Sequence, residues 1–280
     1  MRYGIRLHDT APGTLRERLS FAKDQGFTCA HIALSKLLPG FKMDDAPILL
    51  TPELSASVRE DFASQGMDCA LLGCYLQLAR PAGEDLDRVL SIYKAHLHFA
   101  SQTGIISLVG TETPGNGLSF REPLTVSEEA YQLFLANLKK VLSWAEEYGV
   151  YLGVEPVFCD IIATPARAER LLEDAHSDAL RIILDGVNLL SNEAGLNPDP
   201  VIEDAVRRLG DRVSLLHMKD YRLEEGAFRP VSIACGTGRM HYDRLLAFAK
   251  QRDLPMTLED TTPANAAAAR EYLVAAAASL

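Results

Sequence analysis

Gly153-Val-Glu-Pro156, Ile182-Ile-Leu-Asp185, Leu215-Leu-His217 and Thr257-Leu-Glu-Asp260 carry the reading of this chain. Each closes a short apolar run on a side chain that can hold a metal ion: Glu155, Asp185, His217 and Glu259. These four stand 30, 32 and 42 positions apart, about one strand-plus-helix unit each. The runs, Val150–Val154, Leu180–Leu184, Arg212–Leu216 and Leu254–Leu258, are largely apolar rather than alternating. That pattern fits parallel strands covered on both faces. Helix signals separate them. Thr164-Pro165 pairs an N-cap residue with proline at the first helical position, and Pro200–Leu209, Tyr242–Gln251 and the alanine-rich Pro263–Ala278 read as further helices.

The first half follows the same alternation. Tyr3–Leu7, Phe27–Leu34, Asp68–Leu78 and Ile105–Gly110 read as strands. Thr14-Leu-Arg-Glu17 is a capping box for a helix to Gln25, which Gly26 ends. Thr51-Pro52-Glu53 starts a second helix, Glu84–Gln102 is a third, and Thr125-Val-Ser-Glu128 caps a fourth that stops at Gly149. Eight strand–helix units predict an α/β fold, a single (β/α)8 TIM barrel spanning residues 1–280. Such barrels need about 250 residues. An open doubly wound sheet would bring a glycine-rich turn after its first strand. Here the first strand runs into His8-Asp-Thr-Ala-Pro12, and the lone GxG element, Gly236-Thr-Gly238, falls late and reads as a turn.

Bulk properties narrow the partners. The formal net charge is −10, which disfavours nucleic acid and anionic membrane surfaces. The N-terminus lacks a secretory pattern, and no run of apolar residues is long enough to span a bilayer. Five cysteines, an odd number with no CxxC pair, read as small core residues of a cytoplasmic protein.

In a barrel the C-terminal strand ends meet at one rim, where active sites sit. Glu155, Asp185, His217 and Glu259 should therefore converge. Each has an ordinary alternative: a helix cap for Asp185, a satisfied buried histidine for His217, a loop carboxylate for Glu259. Their coincidence at consecutive strand ends favours a site. Three carboxylates brought together repel, and a cation resolves the repulsion. The oxygen-rich set suits one divalent ion, Mn²⁺, Mg²⁺ or Co²⁺, with zinc also compatible.

The second half resembles the xylose isomerase-like barrels of the sugar phosphate isomerase/epimerase superfamily, including ketose 3-epimerases and inosose dehydratases. The pieces that carry this are GVEPV, IILDGVN, LLHMKD, GTGRMHYDRLL and TLED, within residues 150–260. The resemblance implies that Glu155, Asp185, His217 and Glu259 are the metal ligands. It implies that Glu155 and Glu259 double as the catalytic acid/base pair, flanking the substrate carbon. The implied activity is isomerisation or epimerisation of a sugar, sugar phosphate or polyol through a metal-stabilised enediolate, by a homo-oligomer. A metal-dependent dehydratase begins with the same proton abstraction and is the alternative. An abasic-site endonuclease would need more histidines, and a non-catalytic metabolite-binding barrel would not need both glutamates.

Two positions depart from the family pattern. Asn188 stands where its epimerases carry a substrate-facing histidine, and Thr237 where its late glycine motif is acidic. Asn188 can hydrogen-bond substrate but does not shuttle protons near neutral pH. Further substrate-binding candidates are Lys219, which faces substrate or pairs with Asp220, and Arg222, Glu112 and His8, with Tyr75 a weaker one. His31, His96, His98 and His176 read as structural.

Overall fold

The computed structural model describes residues 1–114 and 126–280. Strand and helix alternate from the start: β1 (Arg2–Arg6), α1 (Leu15–Asp24), β2 (Cys29–Ile32), the single turns α2 (Leu34–Leu37) and α3 (Ala46–Leu49), then α4 (Pro52–Gln65). They continue with β3 (Asp68–Gly73), α5 (Glu84–Thr103), β4 (Leu108–Thr111), α6 (Glu128–Tyr148), β5 (Tyr151–Val154) and α7 (Pro165–Ala175). The remainder is β6 (Leu180–Asp185), α8 (Asp199–Leu209), β7 (Val213–Met218), a hairpin of β8 (Asp220–Arg222) and β9 (Val231–Ile233), α9 (Asp243–Arg252), β10 (Pro255–Leu258) and α10 (Ala266–Ala278).

Eight strands close in the order β1-β10-β7-β6-β5-β4-β3-β2, every pair parallel. This is the (β/α)8 barrel that the alternation predicts. The caps explain several boundaries. Thr14 and Glu17 form both bonds of the capping box, and the Thr51 and Thr164 hydroxyls accept from the backbone N–H groups of Leu54 and Arg167. At α6 the cap is Ser127, which accepts from Ala130, rather than Thr125, which lies outside the described residues. β3 is shorter than the predicted Asp68–Leu78, and the β8–β9 hairpin was not predicted. All five cysteines are buried and unpaired. Among the described residues, no helix is long and apolar enough to cross a membrane.

Two layers of apolar packing hold the barrel. Most buried side chains lie in the large core cluster. A separate small cluster, Leu71, Leu108, Ile183 and Leu215, plugs the barrel interior. Ile183 fills the space over Gly153, where an added Cβ would stand 2.9 Å from its Cγ1. Glycine there makes room for the plug. The period of a strand puts every second residue on the same face. Two positions beyond Ile183 and Leu215 the same faces carry Asp185 and His217, which belong to the floor of the site.

Candidate metal centre at the strand ends

That floor is a ring: Arg6 of β1, His31 of β2, Glu155 after β5, Asp185 ending β6, His217 of β7 and Glu259 after β10. Register fixes neighbours, with Asp185 beside His217 and Arg6 beside His31. Glu155, Asp185, His217 and Glu259 are all buried. His217 is central: its Nδ1 lies 3.1 Å from Glu155 Oε2 and 3.5 Å from Glu259 Oε1. Glu155, Asp185 and His217 form one group of mutually close ligand atoms, and Glu259 joins a second with His217 and His31. The four predicted ligands are thus brought together through His217, in two overlapping groups rather than one tight quartet.

A buried lysine explains the split. Lys219 Nζ lies 2.8 Å from Asp185 Oδ2 and 3.2 Å from Glu259 Oε2. Arg6 Nη1 approaches Glu259 Oε1 at 3.5 Å, while its other nitrogens pair with Asp9 and Asp260 at 3.0 and 3.1 Å. Burial would push the Lys219 ammonium down, but Asp185, Glu259 and Glu155 outweigh it and hold its pKa above the ordinary value. Burial likewise opposes charge on His217, yet Glu259 and Glu155 carry it up to about 9. With two cations already beside Glu259, the group of His31, His217 and Glu259 is a poor place for a second metal ion.

The residues fit one divalent ion. His217 Nε2 has no hydrogen-bond partner among the described residues, while its Nδ1 and Asp185 Oδ2 are met by charged neighbours, Glu155 at 3.1 Å and Lys219 at 2.8 Å. An unpartnered buried nitrogen asks for a ligand. Imidazole and carboxylate oxygens supply the donor set that Mn²⁺, Mg²⁺, Co²⁺ or Zn²⁺ accepts.

Above the ring opens a cavity of about 850 Å³. His8, Glu112, Asn188, Lys219 and Tyr75 line it, as the sequence suggests. Asn188 combines two roles. Its backbone N–H donates to Asp185 Oδ1 at 3.0 Å, a turn contact, and its side-chain Nδ2 donates to Glu155 Oε1 at 2.6 Å. Burial, then Glu155 and Asp160, push Glu112 up to about 8. Burial, then Arg6, push His8 down to about 4. Arg222 is not among the lining residues; it is exposed on β8 and pairs with Glu224 at 2.8 Å.

Lys219 does not pair with Asp220. Asp220 instead takes four backbone N–H groups: Tyr221 and Met240 on Oδ1, both at 2.8 Å, and Gly236 and Gly238 on Oδ2, at 3.1 and 2.8 Å. The Gly236-Thr-Gly238 turn is therefore built around the chain's own carboxylate. Its glycines are required. Gly236 has φ +81° with an added Cβ 2.5 Å from the Tyr272 ring, and a Cβ on Gly238 would meet the Tyr221 carbonyl oxygen at 2.2 Å.

The structure moves His31 from the structural histidines to the site. Its ring stacks on His217 at 5.4 Å and 5°, its Nδ1 lies 3.9 Å from Glu259 Oε1, and its Nε2 lies 3.3 Å from the Tyr75 hydroxyl. β2 ends at Ile32, so His31 is next to a strand end rather than mid-strand. Sequence reasoning also misses Arg6 and Arg229, which line the cavity. Counting in twos along the strands from Gly4 and Cys29, which lie close together beside Thr257, would have found Arg6 and His31. His96 stays structural, with Nδ1 2.9 Å from the Ile92 carbonyl oxygen in α5.

Comparison with known proteins agrees with this architecture. The family model described as xylose isomerase-like TIM barrel matches residues 19–276. A mannonate dehydratase from Shouchella clausii is 32% identical over 96 residues, 31% of this chain and 25% of that enzyme. The match thus spans about a quarter of that curated relative's length. A D-psicose 3-epimerase from Clostridium cellulolyticum H10, solved with D-tagatose, superposes with TM-score 0.76 at 14% identity, covering 99% of each chain. The IOLI protein, solved with a bound zinc atom, gives TM-score 0.73 at 16% identity over 100% of this chain and 98% of that one. At these identities the two superpositions show the fold alone.

Proposed function

We propose that this chain, which belongs to the xylose isomerase-like TIM barrel family, is a divalent-metal-dependent isomerase or epimerase of a small sugar, sugar phosphate or polyol. The observation that carries the reading is the convergence of Glu155, Asp185 and Glu259 on a buried His217 whose Nε2 lacks a hydrogen-bond partner among the described residues. Glu155, Asp185, His217 and Glu259 would hold the ion. Bound there, it supplies Lewis-acid polarisation of a ketone and its neighbouring hydroxyl.

The chain's own groups then handle the proton. Glu155 and Glu259 lie on either side of His217, within 3.1 and 3.5 Å of its Nδ1. Their surroundings differ: Glu155 receives a neutral amide from Asn188, and Glu259 sits between Arg6 and Lys219. Two carboxylates in unequal settings provide a base and an acid. One removes a proton from the carbon beside the carbonyl. Return from the other side inverts that centre, and return to the neighbouring carbon moves the carbonyl. The cavity of about 850 Å³ accommodates a monosaccharide, with Asn188, Glu112, His8 and Lys219 as hydroxyl contacts. The local match to a mannonate dehydratase favours a second reading, in which the same abstraction is followed by loss of a hydroxyl.

Chelator-dialysed protein, reloaded with Mn²⁺ or Co²⁺ and offered ketoses, ketose phosphates and inososes in deuterated water, tests both. Deuterium should enter a substrate carbon only with metal, and loss of water seen by mass spectrometry identifies the dehydratase. Glu155→Gln and Glu259→Gln should each abolish exchange while melting cooperatively. Exchange that survives chelation, or full activity in both variants, refutes the reading.

A further inference from the structure

Lys219 is held in an unusual way for a cavity-lining side chain. Both partners of its ammonium, Asp185 Oδ2 at 2.8 Å and Glu259 Oε2 at 3.2 Å, belong to residues that would bind the metal. The backbone around it is pinned. The Tyr242 hydroxyl donates to the Lys219 carbonyl oxygen at 3.2 Å, and the next residue, Asp220, is fixed by its four N–H bonds. What remains free to move is a four-carbon stem with a compact charge at its tip. Lys219 also lines the cavity, so a head group that leaves the carboxylates has space to enter.

A divalent ion and an ammonium cannot share the same carboxylate oxygens without strong repulsion between them in a buried shell. We propose that Lys219 is an exchangeable internal cation. A metal ion that takes the oxygens of Asp185 and Glu259 displaces the ammonium into the cavity, where it holds an oxygen of the substrate. This rests on the metal reading above. It adds two properties to that reading. Metal affinity is set against a built-in competitor, and the substrate-facing charge is delivered only when the metal has arrived.

Calorimetric titration of chelator-treated protein with Mn²⁺ alone tests the exchange. Lys219→Met should bind Mn²⁺ about tenfold more tightly or better, the scale expected when one like charge leaves a buried shell. Lys219→Arg, which keeps the charge, should return the affinity toward the wild-type value. A second measurement needs no variant: amine acylation mapped by mass spectrometry should find Lys219 protected in chelator and labelled in saturating Mn²⁺. Mn²⁺ affinity in Lys219→Met equal to or weaker than wild type, or labelling that Mn²⁺ leaves unchanged, overturns the exchange alone. Wild-type protein that binds no Mn²⁺ overturns the metal reading and the exchange together. If Lys219→Met does not fold, the labelling decides.

Discussion

Replacing Asp220 with asparagine changes one oxygen into an amide nitrogen and leaves the shape intact. Each carboxylate oxygen accepts two backbone N–H groups, so whichever one is replaced, two N–H donors then face a third donor. Asp220 is 1% exposed, so water does not compensate. Hydrogen bonds to a charged group contribute about 1.5–3 kcal/mol each, and losing two gives roughly 3–6 kcal/mol. Urea unfolding, run in chelator so that metal binding does not mask the change, should show this loss with an unchanged slope. At about 2–4 °C per kcal/mol for a domain near this size, the melting temperature should fall by at least ~6 °C. A loss below about 1 kcal/mol would mean that the loop stands without its anion, and that Gly236-Thr-Gly238 is not built around Asp220.

Gly153→Ala should destabilise by about 1–3 kcal/mol through overpacking against Ile183, and Ile183→Val in the same chain should recover part of it; simple additivity in a double-mutant cycle refutes the contact. Glu112, held at about 8 against an ordinary 4.5 by burial, then Glu155 and Asp160, favours folding below pH 4.5, an advantage lost as pH rises toward 8. Glu112→Gln should therefore match wild type near pH 4 and exceed it in stability near pH 8 in chelator; equal stability at pH 8 refutes the shift. Gly236→Ala, at φ +81° and against the Tyr272 ring, should lower stability by roughly 1–3 kcal/mol, and thermal melts unchanged by it refute the strain.

The barrel was legible because parallel strands buried on both faces leave continuous apolar runs, and proline and threonine punctuate the helices between them. The cluster of candidate ligands was legible for a related reason: each apolar run stops on a polar side chain at the same rim, as at Asp185 and Glu259. His31 and Arg6 were harder. β2 and β1 mix polar and apolar residues, so no run ends on them, and only the inward parity of the strand marks them out. Lys219 and Asp220 show the limit of local reading. Adjacent in sequence with opposite charges, they invite pairing. Along the extended chain that joins β7 to β8 successive residues face opposite ways, so one reaches the carboxylates of Asp185 and Glu259 and the other the glycine turn. The β8–β9 hairpin has three-residue strands, too short for period two to register. Thr125 and Ser127 are both good caps, and sequence alone does not choose between them.

Arg6 and Glu259 stand 253 positions apart, and they meet because β1 pairs with β10, Ile5 beside Leu258. That seam joins the first strand of the barrel to its last. Glu259 reaches His217 on the other flank of β10, where Thr257 lies beside His217 of β7, so its place there waits on this last strand. Holding a metal with all four residues therefore needs an arc that includes β10; one that stops at β7 presents at most Glu155, Asp185 and His217. The growing chain should consequently pass through most of its synthesis with little hold on free metal, and acquire it when β10 docks against β7.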